Sequence, residues 1–147
     1  VYALSIVRSF MTEKPADIVS QWKPSPAGSD EQAAILLKNK DGQMATVALS
    51  LHSKQPKRAM ISCEKGYIEI MEYPRADRAE IVDASTGKKK EISCGKTEDA
   101  LLYEMTDMER AVESGDETEM YLNYTKDVMD IMTGLRREWG LKYPEEM

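Results

Sequence analysis

The alternation of apolar and polar residues between Met44 and Met71 predicts three consecutive strands of one antiparallel sheet. Along residues 44–52 the side chains alternate between two faces. One face is apolar and consists of Ala45, Val47, Leu49 and Leu51. The other face is small and uncharged and consists of Met44, Thr46, Ala48, Ser50 and His52. Because a strand face left in water usually carries charges, we expect a further surface to cover this one.

Further strands are predicted on both sides of this stretch. The Asp41-Gly42 pair predicts a tight type I′ hairpin, since both central residues of that turn need a positive φ. Glu64-Lys65-Gly66 and the segment 84–87 are predicted as the turns of two more hairpins. The predicted strands cover residues 18–22, 31–39, 44–52, 58–63, 67–71, 78–83 and 88–93.

Three helices are predicted around the strands. Thr97 and Asn123 are predicted N-caps, and Gly115 and Gly140 mark the helix ends. The apolar stripes consist of Leu4, Val7 and Met11 in the first helix, of Leu101, Met105, Met108 and Val112 in the second, and of Tyr124, Val128, Ile131, Leu135 and Trp139 in the third. We expect the stripes of the last two helices to pack on the Val47 face. The predicted fold is α+β, a mostly antiparallel open sheet with helices on one face.

Size and charge limit the possible functions. A chain of 147 residues with 41% hydrophobic content can bury one core, so residues 1–147 are predicted as a single domain. A net charge of −6 offers no general basic field for nucleic acid or an anionic membrane, and no apolar run approaches the roughly 18 residues of a membrane span. Residues 98–147 carry 5 basic and 14 acidic side chains, which concentrates acid in the C-terminal helices. We expect a cytoplasmic protein with neither nucleic-acid nor membrane partners.

Few side chains offer chemistry. Cys63 and Cys94 have no CxxC spacing and the chain has one histidine, so no metal site is predicted and the thiols are expected to be free. His52 can donate to a substrate hydroxyl or take part in proton transfer, although a lone histidine is more often a surface residue. No glycine-rich phosphate loop or nucleophile elbow is present, and the chain by itself is not expected to be an enzyme.

Two further groups have both a functional and a structural interpretation. Lys54, Lys57 and Arg58 can form an anion site, although a short run of charges is usually a solvated loop. Tyr2 can donate a proton or orient a hydroxyl, although a tyrosine near a helix start is usually a packing residue.

The order and spacing of several segments resemble one domain of a known enzyme family. The chain contains VYALSIVRSFMTEKP, an Asp-Glu-Gln strand, a DGQMATV hairpin, EKGYIEI and a terminal GLKYPEE. This order resembles the C-terminal domain of the Gfo/Idh/MocA oxidoreductases, over essentially all 147 residues. The family includes glucose-fructose oxidoreductase, inositol dehydrogenases and dimeric dihydrodiol dehydrogenases. The resemblance implies a Rossmann domain that binds NAD(P), followed by this α+β domain, which forms the substrate-side wall and in many members pairs sheet to sheet with another subunit.

The resemblance also assigns a role to Tyr2. Family members carry an Asp-x-Gly-x-His or Asp-x-Gly-x-Tyr segment in the active-site cleft, and Val1-Tyr2 matches its end. Tyr2 therefore corresponds to the position that contacts substrate and assists proton transfer. The catalytic lysine of the family belongs to an EKP motif of the Rossmann domain, so Lys14 is assigned no catalytic role. Because the first helix has no N-cap and no initiator methionine before it, we expect the chain to be a piece of a longer protein, without its Rossmann domain.

The resemblance implies the substrate-side and dimerisation domain of an NAD(P)-dependent oxidoreductase that acts on a carbinol of a sugar, cyclitol or dihydrodiol. No cofactor is expected on this chain, and NAD or NADP is expected in the full-length protein together with a small-molecule substrate. Self-association as a homodimer or higher homo-oligomer is expected through Met44, Thr46, Ala48, Ser50, Met60, Ser62 and Tyr67. One alternative is a non-catalytic assembly domain, and another is a small-ligand binding module, for which no cluster of convergent polar residues is found.

Overall fold

The structure is a computed structural model that describes residues 1–143. Its helices are α1 (Tyr2–Phe10), α2 (Ala100–Ser114) and α3 (Leu122–Glu138). Its strands are β1 (Asp17–Pro24), β2 (Asp30–Lys38), β3 (Met44–Ser50), β4 (Arg58–Cys63), β5 (Gly66–Met71), β6 (Arg78–Asp83) and β7 (Lys89–Ser93). Mixed helices and open antiparallel sheets confirm the α+β class.

The strands form two sheets, whereas the sequence predicted one. The first has the order β1-β2-β3 and the second the order β4-β5-β6-β7, with antiparallel neighbours throughout. The alternation of side chains along a strand defines the two faces of that strand, but it does not determine which other strands pair with it. The chain accordingly divides into two compact units, one made of Val1–Gln55 and the chain from Asn123 onward, the other of Pro56–Leu122. The assignment of all residues to a single domain stays a prediction.

The core of the first unit lies between the first sheet and the helices α1 and α3. Its buried residues are Leu4, Met11, Ile35, Leu37, Val47, Val128, Ile131 and Leu135. They come from the predicted stripes of both helices, from Val47 on the predicted apolar face of β3, and from Ile35 and Leu37, which lie two positions apart on β2. Leu49 and Leu51 were also predicted to lie on this apolar face, but both are exposed. Leu51 lies beyond the end of β3 at Ser50, and Leu49 is the last but one residue of the strand.

Two tryptophans join the end of α3 to the first sheet. The rings of Trp22 and Trp139 are stacked, with centroids 5.4 Å apart and an interplanar angle of 14°. The Trp139 Nε1–H donates to the Ser20 hydroxyl at 2.8 Å. The stack adds specific geometry to the apolar area that these rings bury.

The turn between β2 and β3 differs from the predicted type I′. In this turn Gly42 has a positive φ of 83°, whereas Asp41 does not, and a type I′ turn requires both. The Asn39 N–H donates to the Gln43 carbonyl at 3.0 Å, and the Asn39 Oδ1 accepts from the Gln43 N–H at 2.8 Å. The hairpin therefore has a wider turn in which a single glycine takes the left-handed conformation.

The second unit contains the other two predicted hairpins. Gly66 begins β5, where an added Cβ would overlap the Val82 carbonyl oxygen, so the contact between β5 and β6 requires glycine at this position. The β4–β5 and β6–β7 pairings confirm the hairpins predicted at Glu64-Lys65-Gly66 and at residues 84–87, although Gly66 itself belongs to β5.

The ends of α2 and α3 agree with the sequence better than their starts do. Gly115 and Gly140 follow the helices with φ of 72° and 68°. The predicted cap Thr97 instead donates its hydroxyl to the Arg75 carbonyl at 2.9 Å, within a 3₁₀ turn. Asn123 lies inside the first turn of α3, since that helix begins one residue earlier, so both predicted caps are wrong.

The apolar stripe of α2 was predicted to be buried, on the Val47 face, but the stripe is exposed. All of its four residues are exposed, and no residue of α2 is buried. The stripe of α3, by contrast, is buried at Val128, Ile131 and Leu135.

Candidate functional site

Tyr2 is the first residue of α1. The helix starts with the Leu4 and Ser5 N–H groups donating to the Val1 carbonyl, both at 3.0 Å. The Tyr2 side chain is exposed, and within residues 1–143 its hydroxyl makes no hydrogen bond. The hydroxyl is therefore accessible to a ligand.

Arg8 fixes the orientation of α1. It is only 6% exposed, although it is charged. Its Nε donates to the Asp127 Oδ2 of α3 at 2.7 Å, and its Nη1 donates to the Met11 carbonyl at 2.9 Å. The guanidinium carbon also lies 4.4 Å from the centroid of the Tyr124 ring, a cation–π contact. These partners hold α1 against α3 and thereby fix the helix that carries Tyr2.

A polar network fixes the segment that follows α1. The Thr12 N–H donates to the Gln43 Oε1 at 2.9 Å, and the buried Asn39 donates its Nδ2 to the same oxygen at 2.7 Å. The Lys40 N–H donates to the Glu13 Oε1 at 2.9 Å. The network ties both ends of the β2–β3 turn to the chain after α1, which is a structural role.

His52 lies beside a buried carboxylate at the end of the first sheet. Its Nε2 is 3.5 Å from the Glu31 Oε2, which is within ion-pair distance but long for a hydrogen bond. The Glu31 side chain is 7% exposed, whereas that of His52 is 72% exposed. In the described part of the chain, no hydrogen bond or ion pair links His52 to Tyr2, so the two predicted site residues are not joined directly.

Lys23 is the principal partner of Glu31. The Lys23 Nζ donates to the Glu31 Oε1 at 2.5 Å. This hydrogen bond, helped by the positive charge of Lys23 and by the electrostatic contribution of His52, holds the pKa of the Glu31 carboxyl below its usual value against the opposing effect of desolvation. The result is a lysine–carboxylate–imidazole cluster that the sequence did not predict. The sequence feature that indicates this cluster is Glu31, a charged residue two positions before Ala33 on the same buried face of β2.

The predicted anion site is not an isolated cluster of cations. The Lys57 Nζ lies 3.8 Å from the Glu72 carboxylate, and the Arg58 Nη1 lies 3.6 Å from that of Glu69. Lys14, to which no catalytic role was assigned, pairs with Asp130 of α3 at 2.7 Å.

The described residues include neither a cluster arranged to bind a metal ion nor a helix able to cross a membrane. Among residues 1–143, no group of three or more histidine, cysteine, aspartate or glutamate side chains is arranged to hold a metal ion. Cys63 and Cys94 are both exposed and unpaired with each other. No helix in the same range is long and apolar enough to cross a membrane.

The open face of the first sheet carries two adjacent uncharged rows. The strand register places Val19, Leu36 and Thr46 in one row, and Gln21, Ala34 and Ala48 in the next. All six side chains are exposed. Charges are confined to the flanking rows, at Asp17, Lys38 and Lys23. The uncharged face predicted from β3 thus extends across β1 and β2.

Met60, Ser62 and Tyr67 do not continue that face by strand pairing, because they belong to the second sheet. The row of Met60 continues with Glu69, Glu80 and Glu91, so this face is charged. On the opposite face, Ile61, Ile68 and Ile81 lie in one row, which ends at Lys90 of β7. A role of Met60, Ser62 and Tyr67 in self-association stays a prediction.

Solved structures provide a likeness that sequence comparison does not. No protein-family model matches the chain, and no curated protein matches it. The UDP-N-acetylglucosamine 3-dehydrogenase GnnA from Acidithiobacillus ferrooxidans matches with a TM-score of 0.51 at 17% sequence identity. The chain shares its fold with part of this enzyme. The match covers 77% of this chain and 36% of the dehydrogenase, so the chain spans about a third of that protein.

GnnA belongs to the Gfo/Idh/MocA family, which is the family that the order of segments resembles. At 17% identity the likeness to GnnA concerns the fold and transfers no residue role.

Proposed function

We propose that this chain is the substrate-side domain of an NAD(P)-dependent oxidoreductase that acts on a carbinol carbon of a sugar, cyclitol or dihydrodiol. The observation that carries the proposal is the fold shared with part of GnnA. It agrees with the order of segments from VYALSIV to GLKYPEE, which resembles the same family.

In such a reaction the carbinol C–H bond breaks, and the hydroxyl proton leaves to a base. The nicotinamide of NAD or NADP, when bound, supplies the hydride acceptor. The base is expected to be a lysine of a Rossmann domain outside this chain. Tyr2 is the residue of this chain that we assign to the substrate, because its hydroxyl is exposed at the start of α1 and can orient the carbinol oxygen.

The test is Tyr2→Phe in the full-length enzyme. Turnover should fall about 10- to 100-fold, since positioned proton transfer or orientation is lost. The Kd of the cofactor should be unchanged, because the ring remains. Tyr121→Phe is a matched control at another exposed tyrosine, and its turnover should equal that of the wild type.

Two outcomes would count against the proposal at different levels. Unchanged turnover of Tyr2→Phe would remove Tyr2 from the proposed substrate site. A full-length protein that reduces neither NAD nor NADP with any sugar, cyclitol or dihydrodiol would contradict the activity itself.

We propose self-association through the open face of the first sheet as the second function of the domain. The two uncharged rows across β1, β2 and β3 support it, because small and apolar side chains let two sheets approach to about 10 Å. If the full-length protein has no dehydrogenase activity, this function stands alone, as a non-catalytic assembly domain.

A further inference from the structure

The helix α2 presents an apolar stripe to solvent. This stripe, which we call the α2 seam, consists of Leu101, Met105, Met108 and Val112, each between 51% and 73% exposed. The spacings of four, three and four residues are those of the a and d positions of a coiled coil. An exposed apolar patch of this kind marks an interaction site.

The second unit holds α2 by a different side of the helix. The half-buried residues of α2 are Ala100, Asp107 and Ala111, which lie about 110° around the helix axis from the seam. On the same side, the Tyr103 hydroxyl accepts from the Lys96 N–H at 3.0 Å. The seam is therefore not the side by which α2 attaches to its own unit.

Acidic side chains flank the seam. Glu104 lies on one side of it and Glu109 on the other, and neither has an ion-pair partner within residues 1–143. The one basic residue of α2, Arg110, lies on the opposite side of the helix, 3.5 Å from Asp107. The rim of the seam is thus negative without a nearby cation of its own helix.

We propose that the α2 seam is a docking surface for a basic amphipathic helix of another protein. An apolar stripe with heptad spacing fits the apolar side of such a helix, and Met105 and Met108 can adapt to its side chains. Lysine or arginine beside the partner's apolar stripe would pair with Glu104 and Glu109, which gives the contact its specificity. Pairing of α2 with α2 of a second copy would bring acidic rims together, and an anionic membrane would be repelled in the same way.

The first experiment uses the full chain and two synthetic helical peptides of about three heptads. Both have leucine at a and d, one has lysine at e and g, and the other has glutamate there. Calorimetry should detect binding of the lysine peptide and not of the glutamate peptide. Its affinity should fall at least about tenfold when salt rises from about 0.05 to about 0.5 M, because the rim charges become screened. Absence of binding, or equal binding of both peptides, would overturn the proposal.

Variants then locate the contact on α2. Met105→Asp should weaken binding of the lysine peptide at least about tenfold, whereas Thr106→Asp, which adds the same charge on the far side of α2, should change it less than about twofold. Both side chains are exposed, so both variants should keep the wild-type circular dichroism. Val112→Asp repeats the test at the other end of the seam. An unchanged affinity of both seam variants would refute the site.

Sedimentation separates a partner from a second copy. If Met105→Asp converts an oligomer of this chain into a monomer, the seam is covered by a second copy and the proposal is wrong. The same oligomeric state in wild type and variant, together with lost peptide binding, supports it. Neither result depends on the proposed dehydrogenase function.

Discussion

Arg8 and Glu31 are charged side chains buried within the first unit, and each has an oppositely charged partner. Arg8 has Asp127, and Glu31 has Lys23 with His52 beside it. A buried charge without a partner costs several kcal/mol. The two pairs therefore constrain where α1 meets α3 and where β1 meets β2.

Asp127→Ala tests the buried pair. It should lower the free energy of unfolding by about 3 kcal/mol, because the Arg8 guanidinium stays buried without its carboxylate. Asp130→Ala on the same helix is the matched control, since the Lys14–Asp130 pair is largely exposed and should contribute much less. Urea unfolding of the three proteins measures both differences, and equal losses would contradict the assigned role of burial.

Local sequence patterns predicted which apolar residues are buried, but they did not predict that Arg8 and Glu31 are buried. Ile35, Leu37 and Val128 follow from the strand and helix periodicities. Arg8 lies one helical turn after Leu4, but a charged residue is assigned to solvent by default. Its partner Asp127 is 119 positions away, and no local pattern reports such a pairing.

At the scale of elements, one carboxylate organises the turn between β6 and β7. The Asp83 Oδ1 accepts from the N–H and hydroxyl of Ser85 at 3.0 and 2.7 Å, and from those of Thr86 at 2.8 and 2.9 Å. The hydrogen bonds from Ser85 and then Thr86 lower the pKa of the Asp83 carboxyl to about 2.

This lowered pKa predicts a pH-dependent contribution to stability. The folded pKa lies below the ordinary value of 3.8, so the ionised Asp83 stabilises the hairpin above about pH 4, and the contribution is lost as the pH falls toward 2. The difference in free energy of unfolding between wild type and Asp83→Ala should therefore shrink over that range. Urea titrations at several pH values measure it, with Ser85→Ala as a control of intermediate effect. A difference independent of pH would contradict the prediction.

The C-terminal ends of α2 and α3 could be predicted, because a single glycine is enough to end a helix. Gly115 and Gly140 take a positive φ at low cost, so a glycine after an apolar stripe identifies an end. A hydroxyl that could cap a helix can form other hydrogen bonds as well, and the Thr97 hydroxyl donates to the Arg75 carbonyl instead. Tyr2 was placed on α1 by the stripe, but its candidate role came from the family resemblance and not from any local pattern.

At the scale of the whole molecule, short turns were predictable and the break between the sheets was not. All three predicted hairpins form, because their links are short and a glycine lies in or directly after each of them. The link at residues 51–57 has no turn signature, and the alternation of β3 is the same whichever strand lies beside it. The prediction of one continuous sheet therefore failed at this link.

Ala48→Lys tests self-association through the open face of the first sheet. A two-fold contact would contain the new charge twice, so a wild-type dimer should become a folded monomer. Met129→Lys adds the same charge at an exposed position of α3 and should leave the dimer intact. Sedimentation at equal concentrations measures the three proteins, and a wild-type monomer or an unaffected Ala48→Lys dimer would refute the interface.

The stacked indoles make the first unit spectroscopically distinct. The chain has two tryptophans and both belong to the Trp22–Trp139 stack, so selectively excited emission reports on this unit and is silent for Pro56–Leu122. Far-ultraviolet circular dichroism records the helices and strands of both units. Coincident midpoints of the two signals in urea would identify a single cooperative transition, whereas separate midpoints would give each unit its own stability.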